Sequence, residues 1–352
     1  MRLFDNIWKF VSYDIAIDLG TANTLCSLQG KGIVVSEPSV VAINKKTNEI
    51  LAVGVEARRM VGRTPSNIVA IRPLKDGVIS DFEATKEMIK YFITKVYDVS
   101  PAKFIKIPRP RIVIGVPSSV TEVEKRAVLD ASRSAGARKT YLIEEPMAAA
   151  IGSGLPVTEA SGSMIVDIGG GTSDIAVISL GGIVVDKSIR IAGDEMDQDI
   201  VSYVRHKYNM LIGEKTAEDI KISIGSADES KDRGVLELRG RDINAGVPRI
   251  INIGSSEIRE ALQNSLSIIT DAIKDALEET PPDLISDIVD QGIVLAGGGA
   301  LISGIDTYIS DKVSMPVRVA EDPIKAVVRG TGIILEDLDI LDKINSGEDD
   351  FE

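Results

Sequence analysis

Histidine and cysteine are almost absent from this chain of 352 residues, which contains one of each, His206 and Cys26. A single cysteine excludes a framework of intramolecular disulfide bonds and is typical of a reducing compartment, so we expect a cytoplasmic location. A single histidine argues against a histidine-based metal site and against a catalytic triad of serine, histidine and aspartate. Because Cys26 lies in an apolar run, we expect its thiol to be buried and unreactive.

Aromatic side chains, positive charge and long apolar runs are also scarce. Aromatic residues make up 4% of the chain although 44% of it is hydrophobic, so the core must be mainly aliphatic, as in α/β proteins. The formal net charge of −13 argues against nucleic acid as a partner, because nucleic-acid binding needs a basic surface. No apolar run is long enough to span a bilayer, and no signal peptide is recognisable. The acidic residues near the end predict a solvated tail over 339–352.

A cluster of glycines between two apolar runs is the most informative stretch of the sequence. Residues 164–168 are apolar apart from Asp167, three glycines follow, and a second apolar run begins at residue 175. This order predicts a tight β-hairpin, because glycine adopts the backbone angles of tight turns and aliphatic residues fill strands. Backbone N–H groups in such a turn can surround phosphate oxygens. The predicted phosphate contacts are Gly169, Gly170, Gly171 and Thr172, and Asp167 is placed to meet an accompanying cation.

The same pattern occurs a second time, about half a chain earlier. Residues 17–21 repeat the acid, the flanking aliphatic residues and the turn glycine of residues 166–170. Such a repeat predicts two lobes of like topology that face each other, each contributing a hairpin and an aspartate to a shared cleft. The alternative is two ordinary glycine hairpins in an α/β protein. In the first lobe the predicted phosphate contacts are Gly20, Thr21, Ala22 and Asn23.

A third glycine cluster follows a predicted strand at residues 292–296 and precedes a helix predicted to begin at about residue 300. Backbone donors at a glycine turn before a helix suit an anion, or the sugar and base of a nucleotide. Alone, this motif commonly marks only a tight turn between a strand and a helix. The residues of the cluster are Gly297, Gly298, Gly299, Ala300 and Leu301.

The spacing of apolar residues predicts a first lobe over residues 13–152 in which three strands precede alternating helices and strands, the order of a ribonuclease-H-like lobe. The predicted strands are 13–19, 24–29, 32–43, 111–116 and 140–143, the inserted subdomain spans about 44–80, and the helices are 83–97, 121–135 and 146–152. Thr121 and Glu124 have the spacing of a capping box.

The second predicted lobe, residues 153–319, begins the same pattern again. Its predicted elements are the hairpin 163–179, a strand at 183–191, an inserted subdomain at about 194–254, and helices at 255–279 and 283–289. A last helix, within about 320–338, is predicted to return to the first lobe.

Two segments predict contact with a membrane surface. Residues 1–12 form an amphipathic helical pattern that carries Trp8, the only tryptophan, and such helices lie in the headgroup region of a bilayer. The alternative is a helix docked on its own domain. In the loop 101–110, apolar and basic residues alternate between prolines, which suits anionic headgroups but equally suits a partly buried connector.

Together these motifs resemble the superfamily of actin, sugar kinases and heat-shock chaperone ATPases and, within it, the bacterial actins of the MreB family along nearly the whole chain. The motifs that carry the resemblance are Asp18-Leu-Gly-Thr-Ala-Asn-Thr, Ser36-Glu-Pro-Ser-Val-Val-Ala, Gly62-Arg-Thr-Pro, Arg72-Pro-Leu-Lys-Asp-Gly-Val-Ile, Ile143-Glu-Glu-Pro-Met-Ala-Ala-Ala-Ile-Gly, Asp167-Ile-Gly-Gly-Gly-Thr, Gly193-Asp-Glu-Met-Asp and Thr280-Pro-Pro-Asp-Leu. The chain departs from the family in the loop 99–110, the acidic tail, and Ser173-Asp174, where the family usually has Thr-Glu.

The resemblance implies an actin-like ATPase fold of two ribonuclease-H-like lobes around a nucleotide cleft, each lobe with an inserted subdomain. It further implies ATP and Mg²⁺ as cofactors, slow ATP hydrolysis, and polymerisation into paired protofilaments on the cytoplasmic face of the membrane. Such filaments organise cell-wall elongation with membrane proteins of wall synthesis and thereby maintain cell shape.

The resemblance also suggests roles for single residues. Asp18 and Asp167 would approach Mg²⁺ through its waters. Glu145 would orient or activate the attacking water, with Glu144 as the alternative, and Thr172 would hold the same water. At the nucleoside, Glu218 and Lys221 would approach the ribose and adenine, with Gly298–Leu301 at the other edge, and Gly193 would also bind the nucleotide. The alternatives are an acid that stabilises a helix N-terminus for Glu145 and a surface ion pair for Glu218 and Lys221.

Other functions remain open at this point. A small-molecule kinase of the same fold would need a sugar site and a catalytic base, which we cannot identify, and a chaperone would need a substrate-binding domain after the ATPase core. A cell-division actin matches the motifs less well. An ATP-binding scaffold that does not polymerise is not distinguished by sequence, because polymer contacts cannot be read from one chain.

Overall fold

The computed structural model describes residues 14–75, 77–98, 109–338 and 341. The predicted segment 1–12, most of the loop 101–110 and the predicted tail apart from Leu341 therefore lie outside the described residues. The chain forms two compact units. The first unit contains the described residues up to Ser161, Ile178–Val184 and those from Ile324 onward, and the second unit contains Gly162–Val177 and Val185–Pro323.

The first unit alternates strands and helices after an initial run of strands. Its elements are β1 (Ile15–Leu19), β2 (Asn23–Leu28), β3 (Gly32–Pro38), β4 (Val41–Asn44), β5 (Ile50–Val53), α1 (Val55–Met60), β6 (Ile68–Ile71), β7 (Leu74–Lys75), β8 (Val78–Ile79), α2 (Phe82–Asp98), β9 (Arg111–Val116), α3 (Glu122–Ser134), β10 (Lys139–Glu144) and α4 (Glu145–Gly152).

The second unit repeats this order and is followed by one further helix, which belongs to the first unit. Its elements are β11 (Ser163–Ile168), β12 (Ser173–Ser179), β13 (Gly182–Ile189), α5 (Gly193–Tyr208), β14 (Met210–Leu211), α6 (Glu214–Ile224), β15 (Val235–Asp242), β16 (Pro248–Gly254), α7 (Ser255–Glu279), α8 (Pro282–Gln291), β17 (Ile293–Ala296), α9 (Ile305–Val313) and β18 (Val317–Val319). The further helix is α10 (Ala326–Glu336).

The main sheet of the first unit has the strand order β10-β9-β1-β2-β3. Strand β1 pairs antiparallel with β2 and parallel with β9. Every residue of β1 is buried, because alternate side chains meet helices on opposite faces. Ile15 and Ile17 pack in one apolar cluster with Met88 and Phe92 of α2, whereas α10 also contacts β1 and β9. Asp18 is therefore an exceptional residue, because it places a carboxylate in a fully buried strand.

The main sheet of the second unit has the order β18-β17-β11-β12-β13, the same path as in the first unit. The aliphatic cluster around it includes Val166, Val177 and Leu295 from the sheet and Leu262 and Ile269 from α7. The predicted repeat of topology is therefore confirmed. Because both hairpins open the same sheet pattern, their aspartates stand at equivalent positions, next to the turn and on the central strand of each sheet.

Each unit carries smaller sheets outside its main sheet. In the first unit these are a three-stranded sheet, β5-β4-β6, and the ribbon β7-β8, and in the second unit a three-stranded sheet, β14-β15-β16.

Two predicted elements need correction. The predicted single strand over residues 32–43 is wrong, because β3 ends at Pro38 and β4 belongs to a different sheet. Proline has no N–H to continue the ladder, and Ser39 instead bonds to the first hairpin turn. The predicted helix start near residue 300 is also wrong: Gly298–Leu301 is a short 3₁₀ turn, and α9 begins only after Gly304, which is left-handed at φ 77°.

Helix signals in the sequence were more informative. Thr121 caps α3 through a complete capping box with Glu124, whose carboxylate accepts from the Thr121 N–H at 2.8 Å, so this prediction is confirmed. The predicted helix 255–279 has the observed bounds of α7. Across the described ranges, no helix combines the length and apolar character needed to cross a bilayer.

Candidate functional site

The turn of the first hairpin joins β1 to β2 immediately after Asp18-Leu19. Only glycine fits at residue 20, because a Cβ at this position would lie 2.6 Å from the carbonyl oxygen of Asn23. Thr21 is buried, whereas Asn23 at the start of β2 is exposed. The predicted phosphate contacts Gly20–Asn23 therefore form one tight turn at the end of the central strand.

Ser39 holds this turn closed from outside the hairpin. Its Oγ donates to the Gly20 carbonyl at 2.5 Å, and its N–H donates to the Ala22 carbonyl at 3.0 Å. Its Oγ also lies 2.8 Å from the Thr24 Oγ1. Two carbonyl groups of the turn are thus fixed by one fully buried serine. Sequence reasoning assigned no role to Ser39, although it lies in one of the motifs that carried the family resemblance.

Asp18 is a buried carboxylate, 8% exposed. Burial raises its pKa to about 7, because the charged form loses hydration. The residue opposite it on β9 is Gly115, which has no side chain. A divalent cation near Asp18 would lower this pKa again, and carboxylate oxygen is a preferred ligand of Mg²⁺, so the residue fits the predicted metal role. Among the residues that the structure describes, no cluster of three or more His, Cys, Asp or Glu forms a metal site by itself.

Glu145 lies at the same end of the sheet as Asp18. It begins α4, directly after β10, and its Cγ would lie 3.4 Å from a Cβ built on Gly115, the strand neighbour of Asp18. Helix α4 is fixed by close contact with α10. A Cβ on Gly330 would lie 1.8 Å from the Ala148 carbonyl oxygen, so a larger residue there would displace the helix that carries Glu145. Glu144 is the N-cap residue and ends β10.

The turn of the second hairpin is held by a helix rather than by a side chain. The Gly169 N–H donates to the Thr172 carbonyl at 2.9 Å across the turn. The first two N–H groups of α5 then bind the turn carbonyls, Gly193 to Gly169 at 3.2 Å and Asp194 to Gly170 at 2.8 Å. Gly193 is thus brought against the second hairpin. The first N–H groups of every helix have no partner within the helix, and here the carbonyl groups of the turn accept two of them.

Asp167 and the third glycine cluster meet in the second unit. Asp167 and Thr172 are each 5% exposed. Asp167 lies opposite Ala296 in the sheet, and a Cβ on Gly297 would lie 2.4 Å from the Asp167 Oδ1. A Cβ on Gly299 would lie 2.2 Å from the Ile168 Cγ2. These two glycines are therefore required for close packing beside Asp167.

The remaining residues of the third cluster differ in exposure. Ala300 is buried, Gly298 is exposed, and Leu301 is 50% exposed. Of these three residues, only Gly298 and Leu301 present surface that an adenosine could cover.

Lys221 links α6 to the helix that supports the second turn. Its Nζ donates to the Gly193 carbonyl at 2.5 Å and pairs with the Asp197 carboxylate at 2.8 Å. Both side chains are largely buried, so Lys221 is not part of an exposed ion pair. Burial raises the pKa of Asp197 to about 6, and the charge of Lys221 acts in the opposite direction. Glu218 lies one turn earlier on α6 and is half-buried. Asp197 was not predicted as a site residue.

A comparison with models of protein families shows to which family the chain with these two hairpins belongs. The model described as MreB/Mbl protein matches residues 12–343. The chain belongs to the MreB/Mbl family. The actin-like fold expected from the sequence motifs is therefore confirmed, and the two hairpins described above are those of a bacterial actin homologue.

Named relatives of this MreB/Mbl chain are closely similar over almost its whole length. The cell shape-determining protein Mbl of Bacillus cereus is 52% identical over 330 residues, which cover 94% of this chain and 98% of the relative. The cell shape-determining protein MreB of Escherichia coli is 52% identical over 333 residues, which cover 94% and 95%.

Solved structures of MreB5 from Spiroplasma citri, one bound to ADP and one to AMPPNP, match this chain with a TM-score of 0.88 at 41% identity. The match covers 96% of this chain and 99% of MreB5.

Proposed function

We propose that this protein is an ATP-dependent cytoskeletal protein that polymerises into membrane-associated filaments, hydrolyses ATP slowly and maintains cell shape. The matched pair of hairpins is the observation that supports ATP binding. In each, a buried aspartate precedes a glycine turn whose carbonyl groups are fixed by hydrogen bonds from outside the hairpin. A turn whose carbonyls are held in this way can direct backbone N–H groups at an anion without rearrangement. The ADP and AMPPNP bound to MreB5 support the same assignment.

The phosphate ligands in this proposal are the backbone N–H groups of the two turns, Gly20–Asn23 and Gly169–Thr172. Asp18 and Asp167 would hold Mg²⁺, which binds carboxylate oxygens and keeps several of its waters. When bound there, Mg²⁺ would supply positive charge to offset the negative charge of the phosphate oxygens. Lys221 and Glu218 bind on the nucleoside side, with Gly298 and Leu301 at the opposite edge. Gly297 and Gly299 act by allowing close packing.

Glu145 orients or activates the water that attacks the γ-phosphate, with help from the Thr172 hydroxyl. Glu145 is the first residue after β10, and its Cγ lies near Gly115, which pairs with Asp18 in the sheet. This position supports a role at the phosphates over that of an acid that only stabilises a helix N-terminus. Glu144 is the alternative base, because it is the adjacent residue at the same helix start.

The test replaces Glu145 by Ala and measures single-turnover phosphate release together with the equilibrium binding of ATP. We expect release to slow about a hundredfold, with ATP affinity changed less than about threefold. The matched control is Glu122→Ala, which removes an exposed acid from the first turn of α3 and should leave both quantities unchanged. An unchanged rate of phosphate release in the Glu145 variant would show that Glu145 has no role in hydrolysis, and Glu144 would then be the residue to test.

The cellular part of the proposal rests on the family. The relatives at 52% identity are named cell shape-determining proteins, and we propose the same role here through paired protofilaments and membrane proteins of wall synthesis. We further propose that residues 1–12 and the loop 101–110 contact the inner face of the cytoplasmic membrane. The described residues next to these two segments are neighbours: Arg111 donates to the Asp14 carboxylate through its N–H at 2.8 Å and its Nε at 2.6 Å, and Ile15 pairs with Ile112.

Liposome co-pelleting with Mg²⁺-ATP, with electron microscopy of the pellets, tests this part. The full chain should form paired filaments on liposomes of anionic lipid, and a variant lacking residues 1–12 should form filaments that leave the lipid. Filaments that bind equally without those residues would assign the contact to the loop 101–110. No polymer with any nucleotide would favour an ATP-binding scaffold, or a kinase that a screen of phosphate acceptors would reveal.

A further inference from the structure

Glu37 is a buried carboxylate of the first unit that the proposed nucleotide chemistry does not use. It lies near the end of β3 and is 6% exposed. Two helices supply its three partners: the Lys95 Nζ of α2 pairs with Oε1, the Tyr91 hydroxyl of α2 donates to Oε2 at 3.3 Å, and the Val55 N–H at the start of α1 donates to Oε2 at 3.3 Å. The carboxylate therefore joins β3, α1 and α2.

The backbone around Glu37 is shaped to admit this carboxylate. Gly54, just before α1, has φ 69°, and a Cβ there would lie 1.9 Å from the Glu37 Oε2. The Gly54 N–H donates to the Val40 carbonyl at 2.9 Å, which ties the start of α1 to the chain just after β3. Any side chain at residue 54 would displace the carboxylate from the helix start.

Two residues after Glu37 comes Ser39, which holds the first phosphate turn. Pro38 lies between them, and a proline restricts both its own φ and the backbone of the preceding residue, so the connection is stiff. A second link runs through the sheet, because Glu37 pairs with Thr24 in the β2–β3 register and the Thr24 Oγ1 lies 2.8 Å from the Ser39 Oγ. A shift of Glu37 must therefore move Ser39.

We propose that Glu37 is a positioning residue for the first phosphate turn. By anchoring the end of β3 to α1 and α2, it keeps the Ser39 hydroxyl and N–H on the Gly20 and Ala22 carbonyls. Residues 37–39 then couple the helix α1 to the turn. The effect on nucleotide affinity rests on the proposed function, whereas the effect on Ser39 does not.

The first measurement is amide hydrogen exchange of Ser39 without nucleotide, resolved to single residues. Glu37→Gln keeps the size of the side chain and removes its charge. The matched control is Asp14→Asn, which removes the charge of another buried acid, paired with Arg111 at the opposite end of β1. Both variants should lower the melting temperature, but only Glu37→Gln should speed Ser39 exchange, by about tenfold. Should Glu37→Gln fail to fold, Lys95→Met removes the partner charge instead and should speed the exchange in the same direction.

The second measurement is the affinity for Mg²⁺-ATP of wild type, Glu37→Gln, Ser39→Ala and the double variant. Each single change should weaken binding about tenfold, and the double variant should bind no more weakly than Ser39→Ala within about twofold, because both act through one contact. Unchanged Ser39 exchange in a folded Glu37→Gln protein, or losses that multiply in the double variant, would overturn the positioning role. A wild-type chain that binds no ATP would refute the proposed function alone, since the exchange measurement would still decide the role of Glu37.

Discussion

The two hairpin turns have the same order of acid, aliphatic residue and glycine, yet different groups hold their carbonyls. In the first unit, one serine side chain and its own N–H bind the carbonyls of Gly20 and Ala22. In the second unit, the N–H groups of Gly193 and Asp194, at the start of α5, bind those of Gly169 and Gly170. One turn thus depends on a side chain and the other on the backbone of a helix.

The difference has a consequence for mutation. A hydroxyl can be removed by a single substitution, whereas backbone N–H groups persist in every residue except proline. The second turn is instead vulnerable to added volume, because Gly193, Gly297 and Gly299 all lie against it or against the strand before it. Gly20 makes the first turn sensitive to added volume as well. We therefore expect both turns to be sensitive to side-chain gain, and the first turn also to the loss of the Ser39 hydroxyl.

The largest effect is expected for Gly297→Ala. The added Cβ would lie 2.3 Å from the Ile168 carbonyl oxygen and 2.4 Å from the Asp167 Oδ1, at φ 78°. Strain and overpacking together should cost about 3 kcal/mol of stability and weaken Mg²⁺-ATP binding at least about a hundredfold. Thermal unfolding and calorimetric titration measure both. Gly246→Ala is the matched control, because residue 246 has a similar φ of 71° and a Cβ there meets no atom within 4 Å. Equal behaviour of the two variants would contradict a crowding mechanism.

An intermediate effect is expected for Ser39→Ala. The change leaves the Gly20 carbonyl and the Thr24 hydroxyl without their buried partner and should cost about 1–3 kcal/mol, with ATP binding weakened about tenfold. Ser36→Ala removes an exposed hydroxyl from β3, which ends just before Ser39, and should change stability by less than about 0.5 kcal/mol. If Ser39→Ala bound ATP as tightly as Ser36→Ala, the first turn would not depend on its serine.

A third effect concerns stability alone and is a pH dependence that comes from Asp18. Its pKa of about 7 in the folded chain lies above the usual value of an aspartate, so the folded state binds more protons than the unfolded state between about pH 4 and 7. Without nucleotide and Mg²⁺, wild-type stability should therefore fall as the pH rises through this range. Asp18→Asn should remove that slope and be the more stable protein at pH 8, by about 1–3 kcal/mol.

Chemical denaturation of both proteins at pH 5 and pH 8 measures this difference. If the free energy of unfolding changed equally between pH 5 and pH 8 in wild type and Asp18→Asn, burial of this carboxylate would carry no cost.

Local signals predicted much of this architecture, and long-range contacts account for what they missed. The glycine turns, the aspartates before them and the capping box at Thr121 depend on residues close together in sequence, and their patterns were sufficient. Ser39 lies 19 residues from Gly20, and Glu37 lies 58 residues from Lys95, so nothing in the local pattern indicated their contacts. Asp197 was missed because its role depends on Lys221 from another helix. The end of β3 at Pro38 has a local cause, because proline has no N–H for the ladder, whereas the pairing of β4 in a different sheet is a long-range contact.

The most direct test of the proposal that both turns bind the phosphates of one nucleotide is calorimetric titration of the full chain with AMPPNP and Mg²⁺. We predict one nucleotide per chain, with the affinity lowered by Ser39→Ala in the first unit and by Gly297→Ala in the second, and with the stoichiometry unchanged in both. Two nucleotides per chain, or an affinity that responds to only one of the two substitutions in folded protein, would contradict the claim.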